Sequence, residues 1–166
     1  MRFAPAAAAL SLCLAMTASM SSAGDMAPAD PQATVLIAQG QAALAAGETQ
    51  AAIDAFEAAL AVDPAHTPIF IELAEAARQS GLQGKAIRYY REALERDPDN
   101  FAAIAGEGAA LVEKGAIEKA KRNLAKLQSL CGDSCPETVA LQSSIARGPS
   151  PRLAVETAAE GAPATN

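Results

Sequence analysis

Apolar residues recur at helical spacing in two neighbouring stretches of the chain. In residues 34–46 they return every three or four positions, and Gly47 follows, where a left-handed backbone ends a helix at little cost. One face of residues 49–62 is made of Ala52, Ile53, Phe56, Ala59 and Leu60. Asp63-Pro64 ends this stretch, because the residue before a proline avoids the helical conformation. The pattern predicts two helices joined by a tight turn, and since no stretch alternates like a strand we expect an all-α fold.

The same pattern returns 34 residues along the chain, where AIRYYREALERDP (86–98) follows AIDAFEAALAVDP (52–64). Nine positions are identical between residues 40–66 and 74–100, and a weaker third copy follows. Such a fixed period indicates a solenoid, because each helix pair buries its apolar face only against its neighbours. We expect a right-handed α-solenoid of about three helix-turn-helix repeats, at about 33–66, 67–100 and 101–134, within a domain of residues 33–147.

These repeats resemble the tetratricopeptide repeat. The family's small residue before the turn corresponds to Gly40, Ala74 and Gly108, and its turn glycine to Gly47, Gly81 and Gly115. Its second-helix alanine corresponds to Ala52, Ala86 and Ala120, and its aromatic or large residue to Phe56, Tyr90 and Leu124. Its later small residue corresponds to Ala59 and Ala93, and its proline to Pro64 and Pro98. The family's usual tryptophan is replaced by Leu36, Phe70 and Ile104. Leu127 and Gly132 replace the last alanine and proline, as expected of a terminal repeat.

The resemblance implies a concave groove that is lined by first helices and binds a protein or peptide partner. We expect no catalysis, no cofactor and no small-molecule substrate, because the sequence holds no plausible catalytic constellation. The family's groove positions correspond to Thr34, Ile37, Gln41, Leu44, Ile71, Glu75, Arg78, Ala102, Ala105, Ala109 and Val112. This groove is mostly small and apolar, with Glu75 and Arg78 as the polar exception. It suits an amphipathic helix or an extended partner segment, unless the chain's own tail or capping helix fills it.

The two ends of the chain differ in composition from the repeats. Residues 1–23 combine Arg2, a short apolar run and small residues before Gly24, which predicts a cleaved signal peptide; an uncleaved anchor is the alternative. Residues 24–32 read as a linker. Pro136-Glu137 opens a predicted capping helix over residues 136–147, and the Pro-, Ala- and Gly-rich residues 148–166 are predicted to be a disordered tail.

Export changes the cysteine and charge counts. Removal of residues 1–23 leaves 12 cationic residues against 19 acidic ones, a net charge of −7, which argues against nucleic acid or an anionic membrane as the main partner. It also leaves two cysteines, Cys131 and Cys135, which we expect to form a structural disulfide worth about 2 kcal/mol. A redox-active pair is the alternative, whereas metal binding would need further ligands. The single histidine, His66, falls in a predicted connection, so no catalytic constellation stands out.

Basic residues concentrate on the second helices of repeats 2 and 3. Many have an acidic neighbour four residues away, which predicts helical ion pairs at Arg88–Glu92, Arg91–Glu95, Glu92–Arg96 and Glu118–Arg122.

The repeats, the export signal and the lack of a catalytic constellation together predict an adaptor that is exported, most simply to a bacterial periplasm or else secreted, and that binds another envelope protein. A thiol redox protein and a self-associating repeat protein are the alternatives.

Overall fold

Seven helices, packed one after another, make up residues 28–149, the part of the chain that this computed structural model describes. The helices are α1 Pro31–Ala45, α2 Thr49–Val62, α3 Pro68–Gln79, α4 Gln83–Arg96, α5 Phe101–Glu113, α6 Ile117–Cys131 and α7 Pro136–Arg147. No strand occurs within this range. The predicted signal peptide, residues 24–27 of the predicted linker and most of the predicted tail lie outside the described residues.

One turn geometry joins the two helices of each repeat. Gly47, Gly81 and Gly115 have φ angles of 79°, 76° and 82°, in the left-handed region where side chains other than glycine are strained. After each glycine the next backbone N–H donates to a carbonyl five residues earlier, as in the bond from Glu48 N to Ala43 O at 2.9 Å. This turn satisfies the free carbonyls at the end of the first helix and sends the chain back along it.

The first helix begins earlier than its apolar pattern predicted. It starts at Pro31, inside the predicted linker 24–32, because the carboxylate of Asp30 accepts a hydrogen bond from Gln32 N at 2.7 Å. Proline fits the first helical position, where its missing N–H would have no helical partner.

Aromatic rings seated on glycines hold the layers close together. Phe56 in α2 is fully buried, and a Cβ atom added to Gly40 would lie 2.5 Å from its ring. Tyr90 in α4 covers Gly106 of the next repeat in the same way, at 2.3 Å. The small residue gives the ring its space, so alanine- and glycine-rich helices form a continuous core without a tryptophan.

The last helix continues the period of the repeats. Pro136 and Leu141 in α7 stand two periods after Pro68 and Leu73 in α3. Helix α7 packs on α5 and α6 as α5 packs on α3 and α4, with Leu141 seated on Gly108. It therefore acts as the first helix of a fourth, half repeat, and the predicted all-α solenoid of helix-turn-helix repeats with a capping helix is confirmed. Within residues 28–149, no helix has the length and hydrophobicity needed to cross a bilayer.

Candidate functional site

A cleft of about 270 Å³ opens where α3, α5 and α7 meet. All three are first helices of their repeats, so the cleft lies on the face that the family's groove positions indicate. Its lining residues are Arg78, Ala105, Gly106, Ala109, Glu113, Ala140, Leu141, Ser144 and Arg147. Five of these nine residues are small ones from α5 and α7, which leaves room for a side chain of a bound molecule between the helices.

The floor of this cleft depends on a buried tyrosine. Gly106 lines the cleft, and a Cβ atom added to it would lie 2.3 Å from the ring of Tyr90. The Tyr90 hydroxyl donates a hydrogen bond to Glu75 Oε2 at 3.1 Å. Burial, with the nearby charge of Glu75, raises the pKa of Tyr90 well above its ordinary value of 10.0. The hydroxyl thus stays protonated at neutral pH and keeps Glu75 in place.

One wall of the cleft is an ionic network centred on Arg78. Its Nε and Nη2 atoms donate to the two oxygens of Glu75 at 3.0 and 2.8 Å, and Nη1 donates to Glu113 Oε1 at 2.5 Å. Burial alone would raise the pKa of Glu75, but the hydrogen bonds and charge of Arg78 lower it below its ordinary value. Burial would likewise lower the pKa of Arg78, but Glu75 and Glu113 raise it. Two carboxylates share one guanidinium, so this wall keeps one negative charge.

The opposite wall carries the other cation. Arg147 lies in the last turn of α7, where the helix dipole favours positive charge, and Ser144 lies one turn before it. Among residues 28–149, no carboxylate oxygen lies within 4.0 Å of its guanidinium. The cleft is therefore polarised, negative beside α3 and positive beside α7.

The structure brings together three of the residues predicted to line the groove. Arg78, Ala105 and Ala109 face the cleft, and Glu75 supports it through Arg78. Val112 was predicted to line the groove as well, and this is wrong. It is 1% exposed and belongs to the core, because α5 lies between α3 and α7 and is covered on both sides.

The other predicted groove residues lie away from the cleft. Thr34 is exposed and its hydroxyl donates to Asp30 O at 3.1 Å, while Gln41 donates to Glu72 Oε1 at 2.7 Å. The half-buried side chains of Ile37, Leu44 and Ile71 pack against the core, and Ala102 is exposed at the start of α5. That these positions bind a partner stays a prediction.

Sequence reasoning missed six of the lining residues. They are Gly106 and Glu113 in α5, and Ala140, Leu141, Ser144 and Arg147 in α7. A signal for the α7 residues was present, because Pro136 and Leu141 repeat Pro68 and Leu73 and so mark α7 as another first helix.

The two cysteines meet at the joint between α6 and α7. Their Cα atoms are 5.7 Å apart and their sulfur atoms are at bonding distance, so the backbone accommodates a disulfide here. Cys135 is buried and directly precedes Pro136, so a bond would tie the start of α7 to the end of α6. Within residues 28–149, no group of three or more histidine, cysteine, aspartate or glutamate side chains is arranged to hold a metal ion.

Comparison with known proteins agrees with this architecture. The TPR domain of Sgt2 from Aspergillus fumigatus is 26% identical and aligns over 83% of this chain and 89% of its own, with a TM-score of 0.64. The first TPR of Spaghetti (RPAP3), bound to an HSP90 peptide, is 22% identical over 72% of this chain and 94% of its own, with a TM-score of 0.63. The type III secretion chaperone SycD of Yersinia enterocolitica, in complex with a peptide of the translocator YopD, is 19% identical over 76% of this chain and 93% of its own, with a TM-score of 0.60.

Sequence comparison identifies the repeats directly. No curated protein matches the chain in sequence. A family model of the tetratricopeptide repeat matches residues 37–101 and again residues 71–125, which together span more than half of the chain. With its turn glycines, its aromatic-on-glycine packing and its stacked helix pairs, this chain belongs to the tetratricopeptide repeat family.

Proposed function

We propose that this protein is an interaction adaptor that binds a segment of a partner protein in the cleft between α3, α5 and α7, without chemistry of its own. The observation that carries the proposal is the cleft itself, a concave space of about 270 Å³ bounded by three first helices. Its lining offers small apolar surface with charged groups at two edges, a combination suited to holding a peptide in one orientation.

The structural relatives support this proposal. The Spaghetti (RPAP3) domain was solved with an HSP90 peptide, and SycD with a peptide of YopD. Both share the stacked helix pairs of this chain, although fold alone does not assign a ligand. The site of binding is proposed from the cleft residues of this chain, because they indicate where a segment would lie.

We further propose that the adaptor acts in the bacterial cell envelope. The apolar run in residues 1–23 supports export, and the paired cysteines suit an oxidising compartment. Cell fractionation with N-terminal sequencing tests this part. A periplasmic chain beginning at Gly24 is expected, and a cytoplasmic chain that retains residues 1–23 would contradict it.

Site-specific photo-crosslinking in the producing cell tests the binding site. A photo-reactive phenylalanine analogue replaces Ala109 in the cleft or, as the matched control, the exposed Ala125 on α6. A protein adduct is expected at position 109 and not at 125. Equal adducts at both positions, or adducts at 125 alone, would mean that partners contact another face.

A further inference from the structure

The charge of the cleft narrows the kind of segment that it accepts. Building on the proposed function, we propose that the cleft selects an extended peptide segment whose aspartate or glutamate pairs with Arg147 of α7, beside a small or medium apolar side chain that fills the space over Gly106 and Ala109. Arg147, and not the groove arginine Arg78, is then the residue that determines specificity.

All three guanidinium nitrogens of Arg78 are already bound to carboxylates of the chain itself. Three of its nitrogens donate to Glu75 and Glu113, at distances between 2.5 and 3.0 Å. A carboxylate approaching it would also meet the excess negative charge of this pair and be repelled. The groove arginine that the family pattern highlights therefore serves the protein's own structure.

Arg147 is placed to receive that carboxylate. It is exposed, it lines the cleft, and no salt bridge joins it to another of residues 28–149. Ser144, one turn earlier on the same wall, adds a hydroxyl that can donate to the same group. A guanidinium presents its donors in a fork that matches a carboxylate, so pairing here fixes direction as well as charge.

The hydrogen-bonding groups of the cleft favour an extended segment. The cleft holds about 270 Å³, which is room for a side chain and a short length of backbone. Glu113 Oε2, whose bond from Gln83 is long at 3.4 Å, remains able to accept a backbone N–H. An extended segment has backbone N–H groups free for such a bond, whereas those inside a helix are already bonded within it.

Panning a phage library of short random peptides against the purified chain tests the proposal. Selected peptides are then measured by fluorescence anisotropy against the unchanged chain, R147E, and the control R122E, which changes an exposed arginine of α6 outside the cleft. We expect acidic and aliphatic residues side by side in the peptides, binding about tenfold weaker to R147E, and little change with R122E. Replacing the peptide's acid by lysine should restore binding to R147E.

The controls separate this inference from the function on which it rests. The variant A109Y fills the cleft, and A125Y makes the same change on the outer face. Peptides that bind A109Y and A125Y equally would contradict the proposed function itself. Peptides that A109Y rejects but R147E binds normally would overturn the assignment to Arg147 alone. If peptides are selected only after residues 150–166 are removed, the occupant of the cleft is the chain's own tail. If the chain forms a dimer that R147E dissociates, the occupant is a second copy of the chain. Either result overturns the proposal.

Discussion

Replacing Gly40 and Phe56, singly and together, tests whether the fold depends on rings seated on glycines. Phe56 in α2 is fully buried. A Cβ atom at position 40 would lie 2.5, 2.7 and 2.8 Å from three of its ring carbons. Phe56→Ala should lower the free energy of unfolding by about 3–5 kcal/mol, through lost apolar burial and the cavity that remains.

Gly40→Ala has two opposing effects. Alanine favours the helix by about 1 kcal/mol, whereas forcing a methyl group against the ring costs about 1–3 kcal/mol. The net change is a loss of about 0–2 kcal/mol. When Phe56 is already alanine, the new methyl group enters the vacated space, and Gly40→Ala should then stabilise by about 1 kcal/mol.

The two substitutions should therefore be strongly non-additive, with a coupling of about 1–3 kcal/mol in favour of the double variant. Urea unfolding, followed by far-ultraviolet circular dichroism on the chain and the three variants, measures this coupling. Additivity within about 0.5 kcal/mol, or stabilisation of the unchanged chain by Gly40→Ala, would show that the ring does not lie on Gly40.

Three further predictions concern the turn, the buried tyrosine and the cysteines. Gly115→Ala, at φ 82°, should destabilise the chain by about 1–2 kcal/mol, whereas Gly84→Ala within α4 should stabilise it by about 0.4–1 kcal/mol; equal effects in urea unfolding would contradict the turn geometry. Because the pKa of Tyr90 is raised in the folded chain, its contribution is complete below pH 10.0 and is lost as the pH rises further, so Tyr90→Phe should flatten the fall in stability above pH 10.0; identical pH profiles would refute this. Reduction of Cys131 and Cys135 should lower stability by about 2 kcal/mol, and two maleimide-reactive thiols in the chain isolated from its compartment would argue against the bond.

The repeat architecture could be predicted because its determinants are local and periodic. Gly47, Gly81 and Gly115 each act within one turn, and Phe56 packs on Gly40 of its own repeat. Self-similarity along the sequence therefore reports the packing directly.

The ion pairs were less predictable, because tertiary partners compete with helical ones. Of the four pairs expected at a spacing of four residues, only Glu92–Arg96 forms among residues 28–149, at 3.3 Å. Arg91 instead binds Glu107 of α5 at 2.7 Å. Because that carboxylate is only 10% exposed, leaving it unpaired would cost more than an exposed helical pair gains.

The cleft was predicted only in part for a similar reason. The groove positions of the family include Arg78, Ala105 and Ala109, which line the cleft. The second carboxylate that binds Arg78 belongs to Glu113, 35 residues away, and the opposite wall depends on how α7 packs. Spacing along a single helix carries no information on either. Val112 illustrates the same limit, because its burial follows from the helices on both sides of α5.

Amide chemical-shift mapping with a selected peptide tests the central claim most directly. Titration of the isotope-labelled chain should shift the amide signals of Gly106, Ala109 and Ser144, which line the cleft, and leave Ala125 on the outer face of α6 unchanged. Shifts confined to α6, or to the outer faces of α2 and α4, would contradict a binding site formed by the stacked first helices.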